Sequence, residues 1–187
     1  YVAATSYKFG DYTPYLYKTT DYGKTWTLIT SGIDPQFYTR VVRADPKRQG
    51  LLYAGTEWGM YVSFDDGSSW RPFQLNLPVT SIADLHIRDN ALIAATHGRS
   101  FWMIDDLSPL HQLNADVAAK DFHLFQPKAS YRMAQEEGGN KAALRTQGEN
   151  HPNGVIFHFF LPSVTDSMQV KLDLLEPDGD LIRSYSN

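Results

Sequence analysis

The chain contains no cysteine among its 187 residues, which excludes disulfide bonds, thiolate metal sites and cysteine nucleophiles. It has no basic cluster either: 17 Lys and Arg stand against 21 Asp and Glu, for a formal net charge of −4. Nucleic-acid binding requires a positive face that meets the phosphates, so we predict no nucleic-acid partner. No apolar run approaches the roughly 20 residues needed to cross a bilayer, so we predict no membrane span.

Several signatures of chemistry are also missing from the sequence. The histidines have no metal-ligand spacing, and we find no Ser-His-Asp set, P-loop or dinucleotide fingerprint. We therefore predict no metal and no cofactor. No signal peptide is visible, and the chain opens on "YVAAT" without an initiator Met. We expect it to be the interior of a longer protein.

Aromatic residues are abundant, at 13% of the chain, and favour β-structure or contact with carbohydrate. The sequence also repeats itself. "TTDYGKTW" (19–26) returns as "SFDDGSSW" (63–70), and "LLYAGTEWGMYVSFDD" (51–66) aligns without a gap with "ALIAATHGRSFWMIDD" (91–106). A period of 40 to 44 residues is typical of β-propeller blades.

Each repeat contains short β-strand patterns separated by turn residues. The strands are predicted at Arg40–Ala44, Leu51–Gly55, Met60–Phe64 and Trp70–Gln74, then at Ser81–Ile87, Ala91–Thr96 and Ser100–Ile104, with a weak one near Leu110. Four antiparallel strands make one blade. The sequence therefore predicts an all-β fold of about two and a half to three blades.

We divide the chain into three parts. Residues 1–113 hold the blades, with repeats at about 1–37, 38–80 and 81–113. Residues 114–153 include a polar, glycine-rich stretch and are predicted to be a linker or long loop. Residues 154–187 read as the first strands of a partial β-sandwich, including a hairpin around a Pro-Asp-Gly turn.

The repeated Asp-Gly-Trp motif has a structural interpretation. The carboxylate can accept hydrogen bonds from the backbone of its own turn, the glycine permits a positive φ, and the Trp covers the turn as the next strand begins. Paired catalytic acids or calcium ligands are the alternative, but an identical active site is not expected in every blade. The residues assigned this structural role are Asp21, Gly23, Trp26, Asp65, Gly67, Trp70 and Asp105.

The motif S/T-x-D-x-G-x-T/S-W is identified as the Asp box, or BNR repeat, of sialidases, xyloglucan-active glycoside hydrolases and sortilin-type propellers. The stretches 51–70, 73–110 and 151–162 resemble bacterial sortilin-like "glycosyl hydrolase, BNR repeat" proteins. The resemblance implies a secreted or periplasmic protein of the bacterial envelope. It also implies that this fragment holds the last blades of a propeller and the start of the next domain.

Ligands of propellers are expected at the face opposite the Asp boxes, by analogy of fold. There Glu57 and Asp34 are candidate catalytic carboxylates, with Trp58 as a stacking platform for a sugar. His97 and Arg99 lie in the equivalent loop of the next repeat, and Arg99 could clamp a carboxylate. The competing interpretations are a rim Glu beside a packed Trp, an Arg that ties blades together, and an Asp34 that forms a turn before Pro35.

Two functions stay open at this stage. The first is a recognition propeller that binds a carbohydrate or a peptide, and the second is a glycoside hydrolase whose site is shared with blades outside this chain. No complete catalytic set is present in the sequence, which favours recognition. The expected partners are the ligand and either the remaining blades of the parent chain or a second copy.

Overall fold

The chain folds mainly into antiparallel β-sheets. The computed structural model describes residues 1–131, 154–163, 165 and 168–186. The first sheet contains β1 (Val2–Ser6), β2 (Asp11–Lys18) and β3 (Thr27–Leu28). The second contains β4 (Thr39–Ala44), β5 (Leu52–Thr56), β6 (Gly59–Ser63) and β7 (Arg71–Pro72). The third contains β8 (Ile82–Arg88), β9 (Ala91–Thr96) and β10 (Phe101–Ile104).

The second sheet lies between the other two and is buried on both faces. Side chains alternate across a strand, so Leu52 faces the cluster shared with the first sheet while Tyr53 faces the cluster shared with the third. Every residue of β5 and β6 is buried. Strand β4 contacts both β1 and β8. Two separate apolar layers thus hold three stacked sheets together.

The all-β prediction is confirmed, and most predicted strands lie within a residue or two of their expected positions. Two differ. The strand expected at Trp70–Gln74 is reduced to the two residues of β7. Instead of a strand near Leu110, the chain forms helix α1 (Ser108–Gln112), where Pro109 occupies a first-turn position that tolerates its missing N–H.

Beyond the third sheet the chain makes smaller elements. Helix α2 (Ala115–Ala118) is capped by Asn114, and β11 (His123–Leu124) pairs with β12 (Phe159–Phe160). Strands β13 (Lys171–Leu175) and β14 (Leu181–Ser186) form the predicted hairpin. Most of the predicted linker, residues 132–153, lies outside the described residues. No helix among the described residues is long and apolar enough to span a membrane.

The stack has two ends with different connections. At one end lie the turns after β1, β5 and β9 and the segments that lead into β4 and β8; we call it the loop end. At the other end lie the two Asp turns, residues 19–26 and 63–70, which connect β2 to β3 and β6 to β7.

Candidate functional site

The first Asp turn is closed by its own side chains. Asp21 Oδ1 accepts a hydrogen bond from the Thr25 backbone N–H at 2.9 Å, and Oδ2 accepts one from the Thr25 hydroxyl at 2.6 Å. The Thr19 hydroxyl donates to Asp21 at 2.8 Å and accepts from the Gly23 N–H at 2.8 Å. These bonds, led by that from the Thr25 hydroxyl, lower the pKa of Asp21 to about 2.

The second Asp turn repeats this network atom for atom. Asp65 accepts from the Ser69 N–H at 2.8 Å and from the Ser69 hydroxyl at 2.5 Å, and Ser63 takes the place of Thr19. Gly67 has φ of 86°, against 87° at Gly23. Both oxygens of each carboxylate thus accept hydrogen bonds from within its own turn.

In the third repeat the equivalent acid is one residue later than predicted. The Asp66 N–H donates to the Gly50 carbonyl at 2.8 Å, and the matching bond joins the Leu107 N–H to Asn90 at 2.9 Å. Position 107 is therefore equivalent to 66, and Asp106, not Asp105, is equivalent to Asp65. The Trp residues of the two turns also differ: Trp70 is 3% exposed, whereas Trp26 is 46% exposed.

At the loop end, Glu57 is held by donors from β4 and from the residues that directly precede β4 and β8. Its Oε2 accepts from the Tyr38 hydroxyl at 2.7 Å, from the Ser81 hydroxyl at 2.8 Å and from Arg40 Nε at 2.8 Å. Arg40 Nη2 lies 2.7 Å from the same oxygen. Burial alone would raise the pKa of Glu57, but the Tyr38, Ser81 and Arg40 contacts outweigh it and lower the pKa.

Aromatic rings surround this ion pair. Tyr7 stacks on Tyr38 with ring centroids 4.7 Å apart, and Tyr12 lies 6.0 Å from Tyr38. The Arg40 guanidinium lies over the Tyr38 ring at 5.1 Å and over the Tyr7 ring at 5.5 Å. The guanidinium is thus fixed by a carboxylate and two π faces at once.

Trp58 follows Glu57 in the turn between β5 and β6, and its side chain points outward. It is 54% exposed, and its nearest aromatic neighbour is Phe37, 6.3 Å away between centroids. The turn itself is fixed, because the Trp58 N–H donates to the Thr56 hydroxyl at 3.1 Å. A rigid backbone therefore presents an exposed indole.

Asp34 forms a turn. Its Oδ1 accepts from the Gln36 N–H at 2.9 Å, and its carbonyl accepts from the Phe37 N–H at 3.0 Å. This is the turn-forming alternative considered for a residue before proline. The described contacts of Asp34 include none with Glu57.

His97 and Arg99 lie in the loop equivalent to that of Glu57 and Trp58. The His97 N–H donates to the Ser81 carbonyl at 2.9 Å, just as the Glu57 N–H donates to Tyr38 at 3.1 Å. The Arg99 N–H donates to Thr96 Oγ1 at 3.1 Å. Both side chains are exposed, and neither makes a hydrogen bond or ion pair with the described residues. The backbone of this loop is thus held by hydrogen bonds, whereas the His97 and Arg99 side chains have no hydrogen-bond or ion-pair partner among the described residues.

Sequence reasoning named Glu57, Trp58, His97 and Arg99 as candidates but did not name the residues that contact Glu57. Tyr38 directly precedes β4 and Arg40 is its second residue, and the Arg40 guanidinium donates to the Tyr38 hydroxyl at 2.8 Å. Their spacing of two residues is a signal that the sequence offers for this contact. Nothing in the sequence linked Tyr7, in a different repeat, to them. No family of known proteins and no curated protein matches the chain.

Proposed function

We propose that the chain is part of an exported Asp-box β-propeller and that its loop end recognises a carbohydrate. Three stacked antiparallel sheets with a repeated Asp turn support the propeller interpretation. The loop end is opposite the Asp turns and gathers several aromatic side chains. Exposed aromatic faces beside polar groups suit sugar rings, which have apolar faces and hydroxyl edges.

The single observation that carries the recognition proposal is the exposed indole of Trp58 on a fixed turn. Phe37 supports it on one side, and the uncommitted His97 and Arg99 lie in the neighbouring equivalent loop. A ligand that stacks on the exposed face of Trp58 does not have to displace any of the internal hydrogen bonds described at the loop end. The binding site needs no rearrangement of the ion pair between Arg40 and Glu57.

Glycoside hydrolysis is less well supported. A general acid in such enzymes has a raised pKa, and a pair of carboxylates flanks the bond. The pKa of Glu57 is instead lowered, and the oxygen that accepts its hydrogen bonds is occupied by Tyr38, Arg40 and Ser81. Asp34 is occupied by its own turn.

The test is a glycan array probed with the full chain, its Trp58→Ala variant and its Tyr22→Asn variant. Tyr22 is an equally aromatic, fully exposed residue at the opposite end, and Asn tolerates its φ of 59°. We expect wild type and Tyr22→Asn to bind the same glycans and Trp58→Ala to lose at least about tenfold in affinity. Equal binding by all three, or no glycan bound by wild type, contradicts the proposal.

A second assay separates binding from turnover. The glycans that bind wild type on the array are incubated with wild type or with Glu57→Gln, and the sugar released is measured. Release that disappears in Glu57→Gln would establish a hydrolase and overturn pure recognition. Retention without release supports the proposal.

A further inference from the structure

Trp70 fills the space between the first and second sheets. It is 3% exposed and packs in the same cluster as Leu16, Ile29 and Ile33. Its indole N–H donates to the Ile29 carbonyl at 2.6 Å, and its backbone N–H donates to the Ser31 carbonyl at 2.8 Å. Strand β7 begins directly after it and pairs with β6. One Trp therefore anchors a short fourth strand to the preceding sheet.

The equivalent position in the third repeat can be assigned from matching hydrogen bonds. Positions 66 and 107 donate to equivalent carbonyls, as described above. Four residues after position 66 comes Trp70, and four residues after position 107 comes His111, so the two residues occupy the same position of the repeat. His111 lies on helix α1, and its Nε2 is 2.9 Å from Asp45 Oδ2. The side chain at the Trp position is therefore directed to another contact.

The space that a Trp would occupy is a cleft between the second and third sheets. Six of the residues that line it are Met60, Phe73, Leu77, Leu92, Ala94 and Trp102. In the order of the repeat, they correspond to residues of the cluster that contains Trp70, namely Leu16, Ile29, Ile33, Leu52, Ala54 and Tyr61.

Backbone groups beside this cleft also lack the partners found in the first pair of sheets. Phe73 and Leu75 correspond to Ile29 and Ser31, whose carbonyls accept the two Trp70 bonds. Neither carbonyl receives a hydrogen bond from the described residues. Within that part of the chain, β10 pairs only with β9, so its other edge is open. Open edges bind added strands.

We propose that this cleft binds an extended peptide segment of another polypeptide through a tryptophan side chain. The indole enters the apolar cleft and donates its N–H to the Phe73 carbonyl, while the Trp backbone N–H donates to Leu75. The two residues that follow pair with Met103 and Trp102, as Arg71 and Pro72 pair with their partners on β6. This site is separate from Trp58 and does not rest on the carbohydrate proposal.

The probe is a fluorescently labelled peptide with the sequence of residues 68–75, "SSWRPFQL". Its binding to the full chain is followed by fluorescence anisotropy, and a peptide carrying Trp70→Ala is the matched control. We expect saturable binding and at least about a thirtyfold loss for the Ala peptide, since truncating an anchoring aromatic residue typically costs about 2 kcal/mol or more. Equal binding of the two peptides overturns the proposal.

Two further measurements locate the site. Hydrogen exchange is expected to slow at residues 102 and 103, which pair with the added strand, when the Trp peptide is added; protection confined to other strands overturns the assignment. Ala94→Phe, which fills the cleft from within, should abolish binding, whereas Phe101→Ser, an exposed position outside the cleft lining, should not. If Ala94→Phe fails to fold, the comparison of the Trp peptide with its Ala control still tests the proposal. If the chain self-associates and the self-associated form does not bind the peptide, the occupant of the cleft is a second copy of this chain, and the proposal of a different partner is overturned.

Discussion

The two Trp residues of the repeated turns should contribute very differently to stability, although the sequence gives them the same position. Trp70→Ala removes a side chain that is 3% exposed and breaks the 2.6 Å bond to the Ile29 carbonyl. Truncating a buried Trp costs about 3–5 kcal/mol, including the cavity that it leaves. Trp26 is 46% exposed, so Trp26→Ala should cost about half of that or less.

Urea denaturation followed by circular dichroism measures both variants against wild type. In thermal unfolding of a chain of this size, a loss of about 4 kcal/mol in the free energy of unfolding lowers Tm by roughly 8–16 °C. Trp70→Phe is the control that keeps most of the packing, and losing its N–H bond should cost only about 1–2 kcal/mol. Equal losses for Trp70→Ala and Trp26→Ala would refute the idea that burial between sheets, not the turn itself, gives the motif its stabilising role.

Two further predictions concern stability. The pKa of Glu57 is lowered in the folded chain, so its carboxylate stabilises the fold fully above its ordinary pKa of 4.5, and this stabilisation is lost as the pH falls through the lower, folded-state pKa. In Glu57→Gln, the free energy of unfolding should therefore fall less steeply as the pH is lowered. Gly67→Ala places a Cβ 2.6 Å from Ile29, whereas Gly23→Ala meets nothing closer than 3.6 Å. Thermal unfolding should therefore show the larger loss at Gly67, with only the backbone cost of about 1 kcal/mol at Gly23.

The repeat, the strands and the turn chemistry could be predicted because they depend on residues close together in the chain. Alternating side chains located the strands, and the spacing of Asp21 and Gly23 indicated a turn closed by its own carboxylate. Packing between repeats could not be predicted in the same way. The bonds from Arg40 and Ser81 to Glu57 join residues from separate strands, and only the stacking of the sheets brings them together.

The one-residue shift in the third repeat has a specific cause. Thr56 pairs directly with Gly59, leaving a two-residue turn, whereas Thr96 is bonded to Ser100 across a longer one. The ungapped alignment therefore placed Phe101 opposite Tyr61. Two adjacent aromatic residues give no signal that chooses between them; the turn length decides that Trp102 packs inward and Phe101 is 78% exposed.

In a repeat protein, binding sites are best sought where a position keeps its geometry but loses its internal partner. Glu57 and His97 occupy equivalent turns with the same backbone bond, yet among the described residues the Glu57 carboxylate is paired with Arg40, whereas the His97 side chain has no hydrogen-bond or ion-pair partner. Likewise, the apolar residues that enclose Trp70 have counterparts around an open cleft, because His111 turns to Asp45. Such positions keep an ordered surface that is already shaped by folding, so a ligand that supplies the missing group pays little for ordering it.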